Sequence, residues 1–191
     1  MPLFPLDAVL FPGGLLPLRI FEPRYVDMVR RCLRGEEVFG VVLIHEGTDI
    51  STAVSTAGVG TSARIVDFQA LADGLLGILC RGEQRFRVIT HGVQADGLHF
   101  AQVEWLSEAL PAEMPEQFRP MVPVLQHVMA SLGNVARFIE PHYEDPSWVS
   151  NRFAELLPLD RLTQQRLLEM DDAVARLRLL APMVDAGEAG A

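Results

Sequence analysis

Five histidines, two cysteines and sixteen cations are the side chains of this 191-residue sequence from which acid–base, nucleophilic or anion-binding chemistry could be built. Their spacing builds little of it. His45, His91, His99, His127 and His142 are scattered, with no H-E-x-x-H pair and no compact Cys/His set, so zinc lacks its close-spaced ligands. The densest polar patch, Glu140-Pro141-His142-Tyr143-Glu144-Asp145, is more simply a solvated loop ending in a helix cap than a metal site. Cys32 and Cys80 lie in apolar patterns, where thiols are usually inert core filler. No G-x-S-x-G elbow is present, and Gly58-Val59-Gly60-Thr61-Ser62-Ala63 leads into a strand-like segment that offers no helix N-terminus to a phosphate. All sixteen cations are Arg. Without lysine there is no Schiff base, no Ser-Lys dyad and no G-x-x-x-x-G-K-[ST] loop, because each needs an ammonium at one defined place. The expectation is a protein with no catalytic residue, no metal and no cofactor.

The charge balance narrows the partners. Twenty-five acids against sixteen Arg give a net charge of -9, and neither half is basic: residues 1 to 107 hold 9 Arg and 12 acids, residues 108 to 191 hold 7 Arg and 13 acids. Affinity for a phosphate backbone comes mainly from clustered cations, so nucleic acid is disfavoured. No apolar run approaches the roughly 18 residues of a membrane span, and Met1 to Gly14 lacks the cationic region and continuous apolar stretch of a signal peptide. With two cysteines in no redox spacing, a reducing, cytoplasmic location is expected.

The elements that must position any site divide into two regions. Up to about residue 107 short apolar segments are punctuated by Gly and Pro: Leu3 to Leu6, Leu15 to Ile20, Val38 to Ile44, Gly58 to Asp67, Gly74 to Cys80, Arg85 to Thr90 and Leu98 to Leu106. Val38 to Ile44, apolar throughout and rich in β-branched residues, is expected to be the central strand. One helix interrupts the set at about 23–34: Pro23 suits its first turn, Tyr25, Val29 and Cys32 form an apolar stripe, and Gly35 suits a left-handed C-cap. Asp27 is spaced to pair with Arg31, and Glu22 is placed to cap the helix.

Residues 108–117 are acidic and Pro-bearing, as a connector would be, and 118–184 carry a helical period. Helices are expected over Met121 to Leu132, from Asp145-Pro146 to Pro158, over Asp160 to Glu169 and over Asp171 to Met183, with a frayed tail at 185–191. The fold class expected is α+β, a mainly-β domain followed by a helical bundle.

The most unusual segment is the first: Pro2-Leu3-Phe4-Pro5-Leu6, Leu10-Phe11-Pro12-Gly13 and Pro17-Leu18-Arg19-Ile20-Phe21-Glu22-Pro23-Arg24-Tyr25. Its prolines deny donors to a sheet ladder and suit edge strands or extended segments. In this order and spacing the three blocks resemble the N-terminal substrate-binding domain of Lon proteases. Phe39-Gly40-Val41-Val42, Val59-Gly60-Thr61, Asp73-Gly74, Arg81 to Val88, Leu156-Leu157-Pro158-Leu159 and Leu167-Leu168-Glu169 resemble its later blocks, so the similarity covers nearly the whole chain.

The resemblance implies a strongly bent, barrel-like β domain of the PUA-like type with a helical bundle after it. It also implies a module that recognises exposed or unfolded segments of client proteins, acting in protein quality control, and any peptidase label would reflect ancestry, since the ATPase and serine-lysine protease modules of full Lon need lysines. The candidate contacts are Phe11, Pro12, Leu18, Phe21, Arg24 and Tyr25, with Arg85 available to carboxylate or backbone oxygens. Partners implied are unfolded or peptide-like clients and an ATP-dependent protease, with room for a homo-oligomer. Two readings from other classes stand beside this one: an RNA-binding protein, because PUA-like domains often bind RNA, and a small-molecule enzyme with a site between sheet and bundle.

Overall fold

The computed structural model describes residues 1–35, 37–45, 55–107 and 113–188, with side chains through 184. The chain divides into two compact units, Met1–Ser107 and Glu108–Ala191. The described residues of the first form six strands, β1 (Pro2–Leu6), β2 (Leu15–Ile20), β3 (Phe39–Leu43), β4 (Val59–Ala70), β5 (Leu76–Val93) and β6 (His99–Trp105), and one helix, α1 (Pro23–Leu33). β1 and β3 run parallel and every other pairing is antiparallel.

The strand order β2-β5-β4-β3-β1-β6 is closed by a further pairing of β5 with β6. Five strands therefore form a ring, and β2 is appended outside it on β5. Strand β5 makes this possible by its length: Leu76 to Arg81 pair with β2, while Phe86 to Val93 pair with β6. Register shifts between Thr61 and Ala63, Ile65 and Asp67, and Val88 and Thr90 mark the bulges, and bulges are where a sheet bends and increases its twist. The segments around 74–80 and 85–90, expected as two strands, are one continuous strand. Gly82, which punctuates the sequence between them, lies inside it.

Strand β3 is buried along its whole length and flanked by β1 and β4, which is why its sequence carries no alternation. Its Phe39 and Val41 join Phe4, Ile20, Tyr25 and Val29 in one core under α1, while Val42 joins Leu3, Phe86 and Ala101 in another. Helix α1 starts on Pro23 and ends where the Gly35 N–H meets the Cys32 carbonyl at 3.0 Å, with Gly35 at φ 75°. Two local pairings differ from expectation. Asp27 pairs with Arg30, at 2.9 Å, and Arg31 turns to Glu37. Glu22 stands at the N-cap position, but its side chain makes no cap bond and pairs with Arg24.

The second unit holds α2 (Met121–Ser131), α3 (Pro146–Leu156), α4 (Arg161–Glu169) and α5 (Ala173–Glu188). Residues 108–112 of the expected connector lie outside the described residues, and a 3-10 turn at Glu116–Phe118 follows them. A second 3-10 segment, Gly133–Phe138, had no signal in the sequence. The tail expected to fray from 185 is helical through Glu188; 189–191 lie outside the described residues. Among the described residues no helix is long and apolar enough to cross a membrane.

A buried polar pin ties three of these helices together. Arg176 on α5 donates to the Ser150 hydroxyl of α3 at 2.8 Å and to the Met170 carbonyl past the end of α4 at 2.7 Å. Helix α3 begins on a side-chain cap, the Asp145 carboxylate accepting the Ser147 N–H at 2.8 Å ahead of Pro146. Asp145→Ala is expected to cost about 1 kcal/mol, read as a lower urea midpoint for the helical unit with an unchanged slope.

Candidate functional site

In the barrel unit, the start of α1, strands β1 and β2 and the first residue of β6 enclose a groove of about 430 Å³. Its aromatic part is Phe4 of β1 and Tyr25 of α1, stacked at 4.0 Å between centroids and 13° between planes. Leu18 and Ile20 of β2 continue the apolar lining; Ile20 is buried, and Leu18 packs its inner side on the core while lining the groove. Phe21, between β2 and α1, also lines it and is 66% exposed. Alternation along β2 explains this division: Leu16, Leu18 and Ile20 turn inward, and Pro17 and Arg19 outward.

One strand edge runs along this groove. β2 stands at the end of the strand order, paired with β5 on one side. Among the described residues no strand pairs with its other edge, where Pro17 supplies a carbonyl but no N–H.

The polar wall is held in place by the turn before β6. Arg24 donates to the Gly97 carbonyl at 3.0 Å, pairs with Glu22 at 2.5 Å, and lies 5.1 Å from the Tyr25 ring centroid. Gly97 (φ 82°) leaves the room, since a Cβ there would come within 2.7 Å of Arg24 Nη1. Burial, opposed by the adjacent Arg24 charge, raises the Tyr25 hydroxyl above its ordinary range, so this ring stays neutral. His99, the first residue of β6, also lines the groove, with its Nδ1 2.9 Å from His91 Nε2 of β5.

Of the seven side chains singled out from the sequence, Leu18, Phe21, Arg24 and Tyr25 meet in this groove. Three do not. Phe11 has 0% exposure and is core: the turn that carries it is clamped to β5 by bonds from the Gly13 N–H to the Gly82 carbonyl and from the Gly82 N–H to the Gly14 carbonyl. Pro12 is half-buried in that turn. Arg85 is 8% exposed within β5, opposite Thr61 of β4, so its guanidinium is not presented to a ligand.

Sequence reasoning missed Phe4, Leu6, Ile20 and His99 as lining residues. Phe4 and Leu6 had a signal, since they lie in the same Pro-interrupted block as the candidates; His99 had none, because a strand pairing about a hundred residues along the chain brings it there.

Neither thiol offers a nucleophile. Burial pushes Cys80 up to about 12 and Cys32 up to about 11, so both are thiols at neutral pH. Among the described residues no three His, Cys, Asp or Glu side chains gather where they could hold a metal ion. The helical unit has a separate apolar depression of about 500 Å³, lined by residues of α2, α3 and α5 including Val124, Phe153, Leu156 and Met183.

A closed, bulged β ring with an appended edge strand, followed by helices, is an α+β architecture. Residues 1–186 match the family described as the ATP-dependent protease La (LON) substrate-binding domain, and the chain belongs to that family. A Lon N-terminal domain protein from Xanthomonas campestris, solved as a crystal structure, is 36% identical, with 95% of this chain and 96% of that one covered and a TM-score of 0.78. The N-terminal domain of a Mycobacterium avium complex Lon protease shares the fold at 18% identity and a TM-score of 0.67, over 96% of this chain and 97% of that one. The Lon protease of Cytophaga hutchinsonii is 25% identical over 97% of this chain and 24% of its own length. The chain thus spans about a quarter of the curated Lon proteases it matches.

Proposed function

We propose that this chain is a non-catalytic binding module that takes exposed or unfolded polypeptide segments, in extended form, along the groove between β2 and the start of α1. The observation that carries the reading is Phe21: a large apolar ring, 66% exposed, on the wall of an apolar groove and next to a strand edge with which no other strand pairs among the described residues. An extended client can satisfy backbone groups along such an edge while its side chains enter the groove, the chemistry of strand addition. Ordering a flexible client costs entropy, so affinity is expected at about micromolar or weaker. The biological role that fits is client recognition in cytoplasmic protein quality control, with an ATP-dependent protease as the machine to which clients pass.

The test is a titration with a reduced, carboxymethylated and therefore permanently unfolded protein, followed by amide resonances. Saturable shifts centred on Leu18, Phe21, Arg24 and Tyr25 are expected. Shifts confined to the helical unit, or none, overturn the reading. A parallel titration with single-stranded RNA separates the rival class: tight, steeply salt-dependent RNA binding without client binding would make this an RNA-binding protein.

A further inference from the structure

The groove wall holds one member of a histidine pair that client binding as described above does not use. His99 is 8% exposed and lines the groove; its ring lies 5.1 Å from that of His91, 19° from parallel, with Nδ1 2.9 Å from His91 Nε2. His91 is exposed and does not line the groove. A neutral imidazole has one donor and one acceptor nitrogen, so the two neutral rings share one N–H···N bond. A first added proton can enter on an outer nitrogen and leave that bond intact. A second proton makes both rings donors only, which abolishes the bond and sets two like charges about 5 Å apart.

The surroundings do not compensate a second charge. From α1 the facing groups are the Arg24 guanidinium, the Glu22 carboxylate paired with it and the neutral Tyr25. On the β1 side the Met1 ammonium is bonded to the Ala101 carbonyl at 2.8 Å. In the turn before β6, the Asp96 carboxylate accepts the Leu98 N–H at 2.9 Å. Both carboxylates are engaged, Glu22 by Arg24 and Asp96 by the Leu98 N–H, so neither is free to pair with a second imidazolium. With His91 bonded to its Nδ1 edge and core beneath, the open direction for the His99 ring is the groove it already lines.

We propose that the His91–His99 pair is a proton-operated latch: neutral or singly protonated, it holds the His99 ring in the groove wall, and doubly protonated it releases that ring into the groove and expels an apolar segment bound there. The latch depends on the client-binding reading only for what is expelled. Burial foremost, then the proximity of His91 and Arg24, holds His99 below the usual imidazole range. The sign follows. A histidine depressed in the folded state leaves stability intact above its unfolded value of about 6.5 and removes it as pH falls from there towards the folded value. Release therefore belongs to the acid side of neutrality.

The experiment compares wild type with His91→Gln, whose amide can donate to or accept from His99 but cannot charge. Histidine ring nitrogens are followed by NMR from pH 7.5 to 5. In parallel, the anisotropy of a rhodamine-labelled peptide of Phe, Leu and Ser, with blocked termini and no titrating group, reports binding. Wild type is expected to titrate the pair in two separated steps and to lose about tenfold in affinity across the second, the factor that one pK unit represents. His91→Gln is expected to match wild type at pH 7.5 and to stay within about twofold at pH 5, a tenfold loss being the same single unit. Independent single-step titration of both rings, or equal acid weakening in the two proteins, overturns the latch. If the peptide binds at no pH, the client-binding reading fails, and the latch is decided by the Leu18 and Phe21 amides, which must move with the second step in wild type and stay put in His91→Gln.

Discussion

Gly82→Ala is expected to cost on the order of 3 kcal/mol and to abolish client binding with it, although it adds one methyl group to a residue with ordinary backbone angles. A Cβ at this position would be driven into the carbonyl oxygen of Phe11, with the Phe11 carbonyl carbon at 3.0 Å and Leu10 Cγ at 3.1 Å. The obstacle is backbone, and that backbone is clamped: the Gly13 N–H bonds to the Gly82 carbonyl at 2.8 Å and the Gly82 N–H to the Gly14 carbonyl at 2.9 Å. Relief requires both bonds to open, leaving buried polar groups unsatisfied. It also frees the turn that buries Phe11 and sets the start of β2 at Leu15, one wall of the groove. The measurement is the urea midpoint with anisotropy at a denaturant-free point. Two glycines calibrate it. At Gly40 the added carbon would meet the Phe86 ring and the Met1 side chain, which can shift, so a smaller loss is expected. At Gly58 nothing lies within 4 Å, and alanine there is expected within about 0.5 kcal/mol of wild type. Equal effects at Gly82 and Gly58 would show that the clamp does not hold the turn.

That same glycine shows why part of the fold is hidden in the sequence. In Arg81-Gly82-Glu83-Gln84 a glycine amid polar residues has the local composition of a turn, and it suggests two strands where there is one of eighteen residues. Its cause is tertiary: the strand needs a position without a Cβ where another backbone crosses it, and nothing nearby in the chain announces that. Strand β3 was legible because burial on both faces leaves its mark on every residue. The α+β class was legible because the hydrophobic period changes from 2 to 3.6 beyond Trp105.

The groove was legible to the extent that it is local. Leu18, Phe21, Arg24 and Tyr25 fall within eight consecutive positions, and a strand running into a helix delivers them to one place. His99 and its partner His91 could not be found that way, because their meeting depends on closure of the ring through the β5–β6 pairing. Arg176, in an otherwise apolar helical stripe, looks like a solvated charge until the carbonyls at the end of α4 are seen around it.

Phe11 and Phe21 are alike in the sequence, each next to proline-bearing apolar residues, and the same substitution should separate them. Phe11→Asp places a carboxylate where the ring had 0% exposure. Losing a buried Phe alone costs about 3–5 kcal/mol, and an uncompensated buried charge adds to it, so the barrel unit is expected not to fold at 37 °C. Phe21→Asp removes a ring that is 66% exposed, and its melting temperature is expected within about 2 °C of wild type, since surface changes stay within about 0.5 kcal/mol. Its client affinity should nevertheless fall about thirtyfold, the loss of about 2 kcal/mol usual for an aromatic anchor at the centre of an interface. The new carboxylate would stand beside Glu22 and could draw Arg24 out of its pair, so Phe21→Ser is needed to isolate the missing ring from the added charge. Phe21→Leu should keep most of the affinity. If Phe21→Ser binds the unfolded client as wild type does, the exposed ring is not the anchor and the groove loses its claim to be the client site. If it melts several degrees lower, the ring is supporting the fold, and its exposure has another cause.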